Sequence, residues 1–157
     1  MSKIRRLATP TRVKKITGGK DPIKLVEDFL AERSIDPESC LEQKSSDSAT
    51  WSMTLAEDEV WEITLEGLNS QLETTLYIGV NVASVPLKRT AEFLLSALSV
   101  ADTLIGAKLS IVNYDLVLSA TVYVAHIGSE DIDYLYELIR RQKVGVRDTI
   151  SAESDSS

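Results

Sequence analysis

The residues able to do chemistry in this sequence are few and scattered. "TGGKD" at 17–21 has the glycines and lysine of a phosphate loop but not the second glycine spacing. Asp21 stands where a hydroxyl residue would hold magnesium. A turn leading into a helix accounts for it better. His126 is the only histidine, ends a strand-like run and has no cysteine near it in sequence. A metal centre needs several ligands, so a strand-end histidine is the simpler reading. Cys40 is the only cysteine and follows a loop, with Lys44 its one basic neighbour. A reactive thiol needs an electropositive setting, and an internal disulfide is impossible. A single unpaired thiol fits a reducing, cytoplasmic setting.

Two acidic clusters remain. "EDE" at 57–59 falls at the turn of a predicted hairpin, where solvated charge is ordinary. "SEDID" at 129–133 opens a predicted helix, where acids favour the dipole. Acid–base catalysis needs carboxylates placed in a cleft, and neither cluster implies one. The reading is a non-enzyme with no catalytic residue, no cofactor and no metal.

The elements that would position these residues are easier to read. The chain has 157 residues with 43% hydrophobic content, enough for one compact core. No run approaches the roughly 18–20 apolar residues of a membrane span. Asp21 and Pro22 cap and open a first helix over 22–33. Pro37 and "EQKSSDSA" read as a loop. From Ala49 the period becomes two. Trp51, Met53 and Leu55, then Trp61, Ile63 and Leu65, form the dry face of a hairpin turning near Glu57 and Asp58. A third strand carries Leu72, Thr74, Leu76, Ile78, Val80 and Val82 on one side, with Thr75 and Tyr77 on the other. Pro86 opens a long helix over 86–105, closed by Gly106. Two more strands turn near Tyr114 and Asp115, and Ser129 caps a last helix over 130–143. The order α-β-β-β-α-β-β-α predicts an α+β fold, an antiparallel sheet packed on a long central helix.

"TAEFLLSALSVADTLIG" at 90–106 is apolar on too many sides. Leu87, Ala91, Leu94, Leu95, Leu98, Ala101 and Ile105 share one face, assigned to the sheet. Phe93, Ala97, Val100 and Leu104 form a second stripe. Together they span more than about 200°, against roughly 100° for a helix lying on one sheet. Another helix of the same chain, or a second copy across a two-fold axis, covers the second stripe, or it stays in water as a stripe that binds a client. Phe93, Ala97, Val100 and Leu104 are therefore the candidate dimer or partner interface.

The element order over 22–143 resembles the type III secretion chaperone-like fold, which includes the YbjN-like proteins. The likeness lies mainly in "PLKRTAEFLLSALSVADTLIGAKLSI" followed by "LVLSATVYVAHIGSEDIDYLYELI". It implies a small acidic homodimer that holds a segment of another protein, with the long helix supplying the dimer contact.

Charge is unevenly spread. Residues 1–20 carry Lys3, Arg5, Arg6, Arg12, Lys14, Lys15 and Lys20 with no acid, a charge of +7. The rest carries ten basic against 24 acidic residues, or −14. The expected division is a basic arm at 1–20, one α+β domain at 21–146 and a polar tail at 147–157. Thr75, Tyr77 and Tyr123 are candidate outer-sheet docking residues. Arg5, Arg6, Arg12, Lys14 and Lys15 are the candidate contacts for an anionic partner. The main expectation is a homodimer with a polypeptide partner. The alternative is a regulatory protein that touches nucleic acid through the arm, which the acidic body opposes.

Overall fold

The computed structural model describes residues 21–55, 59–70, 73–126 and 128–155, with His126, Ser129 and 151–155 described in backbone only. The basic arm, the Glu57–Asp58 turn, Leu72 and the Ser129 side-chain cap lie outside the described residues.

Helix α1 (Pro22–Glu32) starts where its cap chemistry places it. The Asp21 Oδ1 accepts the Ile23 N–H at 3.0 Å, and Pro22 fills the first helical position. Leu25, Val26, Phe29 and Leu30 are its buried face. Its end is tied down by Arg33, which lies 3.9 Å from the Phe29 ring centre and 2.7 Å from the Asp133 carboxylate.

The segment read as a loop instead holds a short helix and a strand. Asp36 accepts the Glu38 N–H at 3.1 Å and opens α2 (Pro37–Cys40). Strand β1 (Leu41–Lys44) follows and pairs antiparallel with β2 (Ser48–Leu55), with a register shift between Leu41 and Gln43. A polar sequence can do this because an edge strand needs backbone hydrogen bonds but no apolar face. Strands β2, β3 (Glu59–Glu66) and β4 (Thr75–Ser84) bury alternate residues, as the period of two requires. Trp51 and Trp61 are both 1% exposed.

Helix α3 (Thr90–Ala101) is shorter than the predicted 86–105. Arg89 takes a left-handed conformation (φ 59°), and the Thr90 hydroxyl donates to the Pro86 carbonyl at 2.8 Å, so Pro86 lies in the approach rather than the helix. β5 (Lys108–Val112) and β6 (Asp115–Tyr123) form a hairpin in which Val112 faces Asp115. Asn113 and Tyr114 both have positive φ, 49° and 67°, the conformation of a two-residue primed turn. The Val85 N–H donates to the Tyr114 carbonyl at 2.7 Å, and the Asp115 carboxylate accepts from Ser84 at 3.1 Å. The hairpin tip is thus clamped to the end of β4.

A single turn of 3₁₀ helix (Val124–His126) leads to α4 (Ser129–Asp155), which runs twelve residues past its expected end at 143. The six strands form one antiparallel sheet in the order β1-β2-β3-β4-β6-β5. The α+β class and the run of elements are as the sequence predicts, with β1 and α2 added. Two compact units divide the described residues. One comprises 21–52, Ile63–Tyr77 and Thr121–Tyr134. The other comprises Met53–Glu62, Ile78–Ala120 and the chain from Leu135 onward.

Candidate protein-binding face

All of α3, β5 and the hairpin tip belong to the second unit. The two stripes of α3 exchange the roles expected of them. Phe93, Ala97 and Val100 are 6%, 6% and 7% exposed, so the proposed interface is interior to this chain. Leu104 lies beyond the helix end and is half-buried. Leu94, Leu95 and Leu98, assigned to the sheet, are exposed, the last two by 65% and 67%. The physical reason lies in α4. A last helix ending at 143 has nothing with which to cover Phe93. The observed helix continues, and its buried Val146 and Ile150 supply the cover. Val146 shares a groove with Val100 and Leu104, and Ile150 lines a cavity with Phe93.

The exposed row extends beyond the helix. Leu87 precedes α3 and Ile105 follows it, both largely in water, and Ile111, Val112 and Tyr114 are exposed on the adjoining hairpin. α3 lies against β5. Large exposed apolar residues gathered on one unit are a candidate interaction surface. Burying Leu95 or Leu98 would contribute about 1.5–3 kcal/mol each before association costs. The rim carries both signs: Lys88 and Arg89 near the start of α3, Glu92 one turn in, and Asp102 at its end. Tyr114 stands out because a left-handed backbone disfavours a residue with a bulky side chain, yet the residue is 77% exposed and its carbonyl is held in place.

The second unit also contains a buried charge group that the sequence reading missed. Glu59 was expected in a solvated turn with Glu57 and Asp58. It is 8% exposed, at the first position of β3, and pairs with the equally buried Lys143 of α4. The Trp61 indole N–H donates to Glu59 Oε1 at 3.4 Å, and Arg147 lies 3.9 Å from Oε2. Tyr136 lies against the Trp61 ring, with centroids 4.7 Å apart. The signal was present in the sequence: Glu59 shares the period-two face of Trp61, Ile63 and Leu65. The arrangement is an ion pair held by a hydrogen bond.

The remaining candidates are dispersed. Thr75 and Tyr77 are half-buried on β4, and Tyr123 is 54% exposed on the neighbouring β6, all in the first unit. Cys40 closes α2, and its thiol lies 3.6 Å from the carbonyls of Asp36 and Pro37. Burial pushes its pKa up, away from the thiolate a nucleophile needs. Arg5, Arg6, Arg12, Lys14 and Lys15 lie outside the described residues. Among the described residues no helix is long and apolar enough to cross a membrane.

No protein-family model matches the sequence, and no curated protein matches it significantly. Solved structures do match. A chain of the ExsC–ExsE complex covers 80% of this chain and 90% of its own length at 11% identity, with a TM-score of 0.58. A chain of the HopA1–SchA chaperone–effector complex covers 80% and 91% at 13% identity, with a TM-score of 0.53. A chain of the ExoU–SpcU heterodimer, from the type III secretion system of Pseudomonas aeruginosa, covers 79% and 96% at 21% identity, with a TM-score of 0.52. At these identities the likeness is one of fold alone, an α+β fold shared with chains of these complexes.

Proposed function

We propose that this chain is a non-enzymatic, chaperone-like protein-binding domain that works in the cytoplasm as a homodimer and holds a polypeptide partner. The observation that carries this reading is the exposed apolar row of α3, Leu94, Leu95 and Leu98, continued by Ile111, Val112 and Tyr114 on the hairpin. The mixed-sign rim supports self-pairing. Two copies of α3 crossed antiparallel about a two-fold axis bring Lys88 of each near Asp102 of the other, as an isologous contact requires. This moves the dimer contact from the Phe93 stripe to the other apolar stripe of the same helix. Thr75, Tyr77 and Tyr123 are the proposed docking residues for the polypeptide on the first unit.

The test is the solution mass of the full chain and of Leu98→Glu. The wild type is expected at twice the 17.3 kDa chain mass, and the variant at 17.3 kDa with its circular dichroism unchanged. A monomeric wild type would remove the homodimer from the proposal. An unfolded variant would show that this row is interior. A polypeptide that co-purifies with the wild type but not with Leu98→Glu would identify the partner.

A further inference from the structure

The end of α4 has a hinge, a clasp and a loosely filled seat. Gly145 lies inside the helix, and a Cβ placed there would meet nothing within 4 Å. Packing therefore does not require glycine, yet glycine is the poorest helix former after proline. Before it, Ile132 and Ile139 are fully buried. After it, only Val146 and Ile150 are buried among the described side chains. The Glu59 carboxylate straddles the hinge, holding Lys143 on one side and lying 3.9 Å from Arg147 on the other.

Beneath this segment the contact with α3 is incomplete. A groove of about 390 Å³ runs between Val100 and Leu104 on one side and Val146 and Thr149 on the other. A cavity of about 140 Å³ is lined by Phe93, Ser96 and Ile150 together with Pro86 and the charged Lys88, Arg89 and Glu92. The Ser96 hydroxyl oxygen is buried with no hydrogen-bond partner among the described residues. An unmet buried hydroxyl is unfavourable, and admitting water relieves it.

We infer that Val146–Asp155 is a hinged strap, and that the Phe93, Ala97, Val100 stripe beneath it is a covered binding surface for an amphipathic helical segment of a partner. The chemistry of the occupant follows from what it replaces. The strap offers apolar side chains at i and i+4, Val146 and Ile150, and a partner helix with the same spacing meets the same stripe. With the strap swung out, that stripe joins the exposed Leu94, Leu95, Leu98 row, and α3 is apolar over most of its circumference. The occupant rests on the protein-binding reading above; the hinge does not.

Hydrogen exchange on the full chain reads the hinge without any partner. Amides 146–150 are expected to exchange together, at least tenfold faster than 135–142, with a step at Gly145. Gly145→Ala should slow the whole 146–150 set by about fivefold, the difference in helix propensity expressed as an equilibrium factor. A smooth gradient from the C-terminus, or one rate from 132 to 150, overturns the hinge. The covered surface is then probed with a synthetic peptide of residues 143–155 and the full-length Ile150→Asn variant, whose strap is weakened. Val146→Ala replaces that variant should it fail to fold. Binding to the variant and not to the wild type is expected. No binding to a folded variant overturns the covered surface and leaves the hinge standing. Neither result depends on the mass measurement for Leu98→Glu.

Discussion

Replacing Lys143 by methionine isolates the buried charge pair. The substitution keeps the length of the side chain and removes its ammonium from a site that is 7% exposed. The Glu59 carboxylate then keeps the Trp61 indole N–H at 3.4 Å and Arg147 at 3.9 Å. Removing one partner of a buried ion pair costs about 3–5 kcal/mol, because the other charge stays out of water without compensation. Arg147 is 40% exposed at its side chain and able to move closer, which favours the lower end, about 3 kcal/mol. For a chain of this size each kcal/mol moves the melting temperature by about 2–4 °C, so the expected drop is about 6–12 °C. The double variant Glu59→Leu with Lys143→Met removes both charges but leaves the buried Trp61 indole N–H without its acceptor, so it should recover part of the loss, to within about 1–2 kcal/mol of the wild type. Urea unfolding followed by the fluorescence of Trp51 and Trp61 measures all four corners of the cycle. A single variant within about 1 kcal/mol of the wild type would show that the pair is solvated. A double variant as unstable as the single would show that the loss comes from packing rather than charge.

Two other substitutions test the surface assignments. Phe93→Ala should destabilise the chain by about 3 kcal/mol, the low end for a buried phenylalanine because a cavity already adjoins it, while Leu95→Ala at dilutions that keep the protein monomeric should stay within about 0.5 kcal/mol. The reverse order by chemical denaturation would restore the stripe assignment read from the sequence. Tyr114→Gly relieves a left-handed backbone at an exposed tip and should stabilise the fold by about 0.5–1 kcal/mol while weakening association. A loss of stability would mean that the ring packs on its own chain.

The parts of the fold legible in the sequence are those with strong periodicity or explicit caps. Asp21 and Pro22 place α1, and the alternation from Trp51 to Leu65 places two strands of the hairpin. β1 was invisible because an edge strand carries no apolar pattern, and "LEQK" has none. The far end of α4 was missed because polar residues dilute its stripe to Val146 and Ile150 alone. That omission decided the binding face. Helical projection shows correctly that α3 has two apolar stripes, but it carries no information about which one the rest of the chain covers. Glu59 shows the opposite failure. Its acidic neighbours at 57 and 58 suggested solvent, while its parity with Trp61 placed it inside.

The two rims of the sheet have different consequences for growth. β1 is four residues long, polar and interrupted by a register shift, so it offers little for a foreign strand to pair with. β5, at the opposite rim, is regular against β6 and shows Ile111 and Val112 to solvent. Among the described residues β5 is therefore the rim better suited to receive an added strand. A filament needs two receptive rims, whereas pairing of β5 with β5 about a two-fold axis would close at two chains.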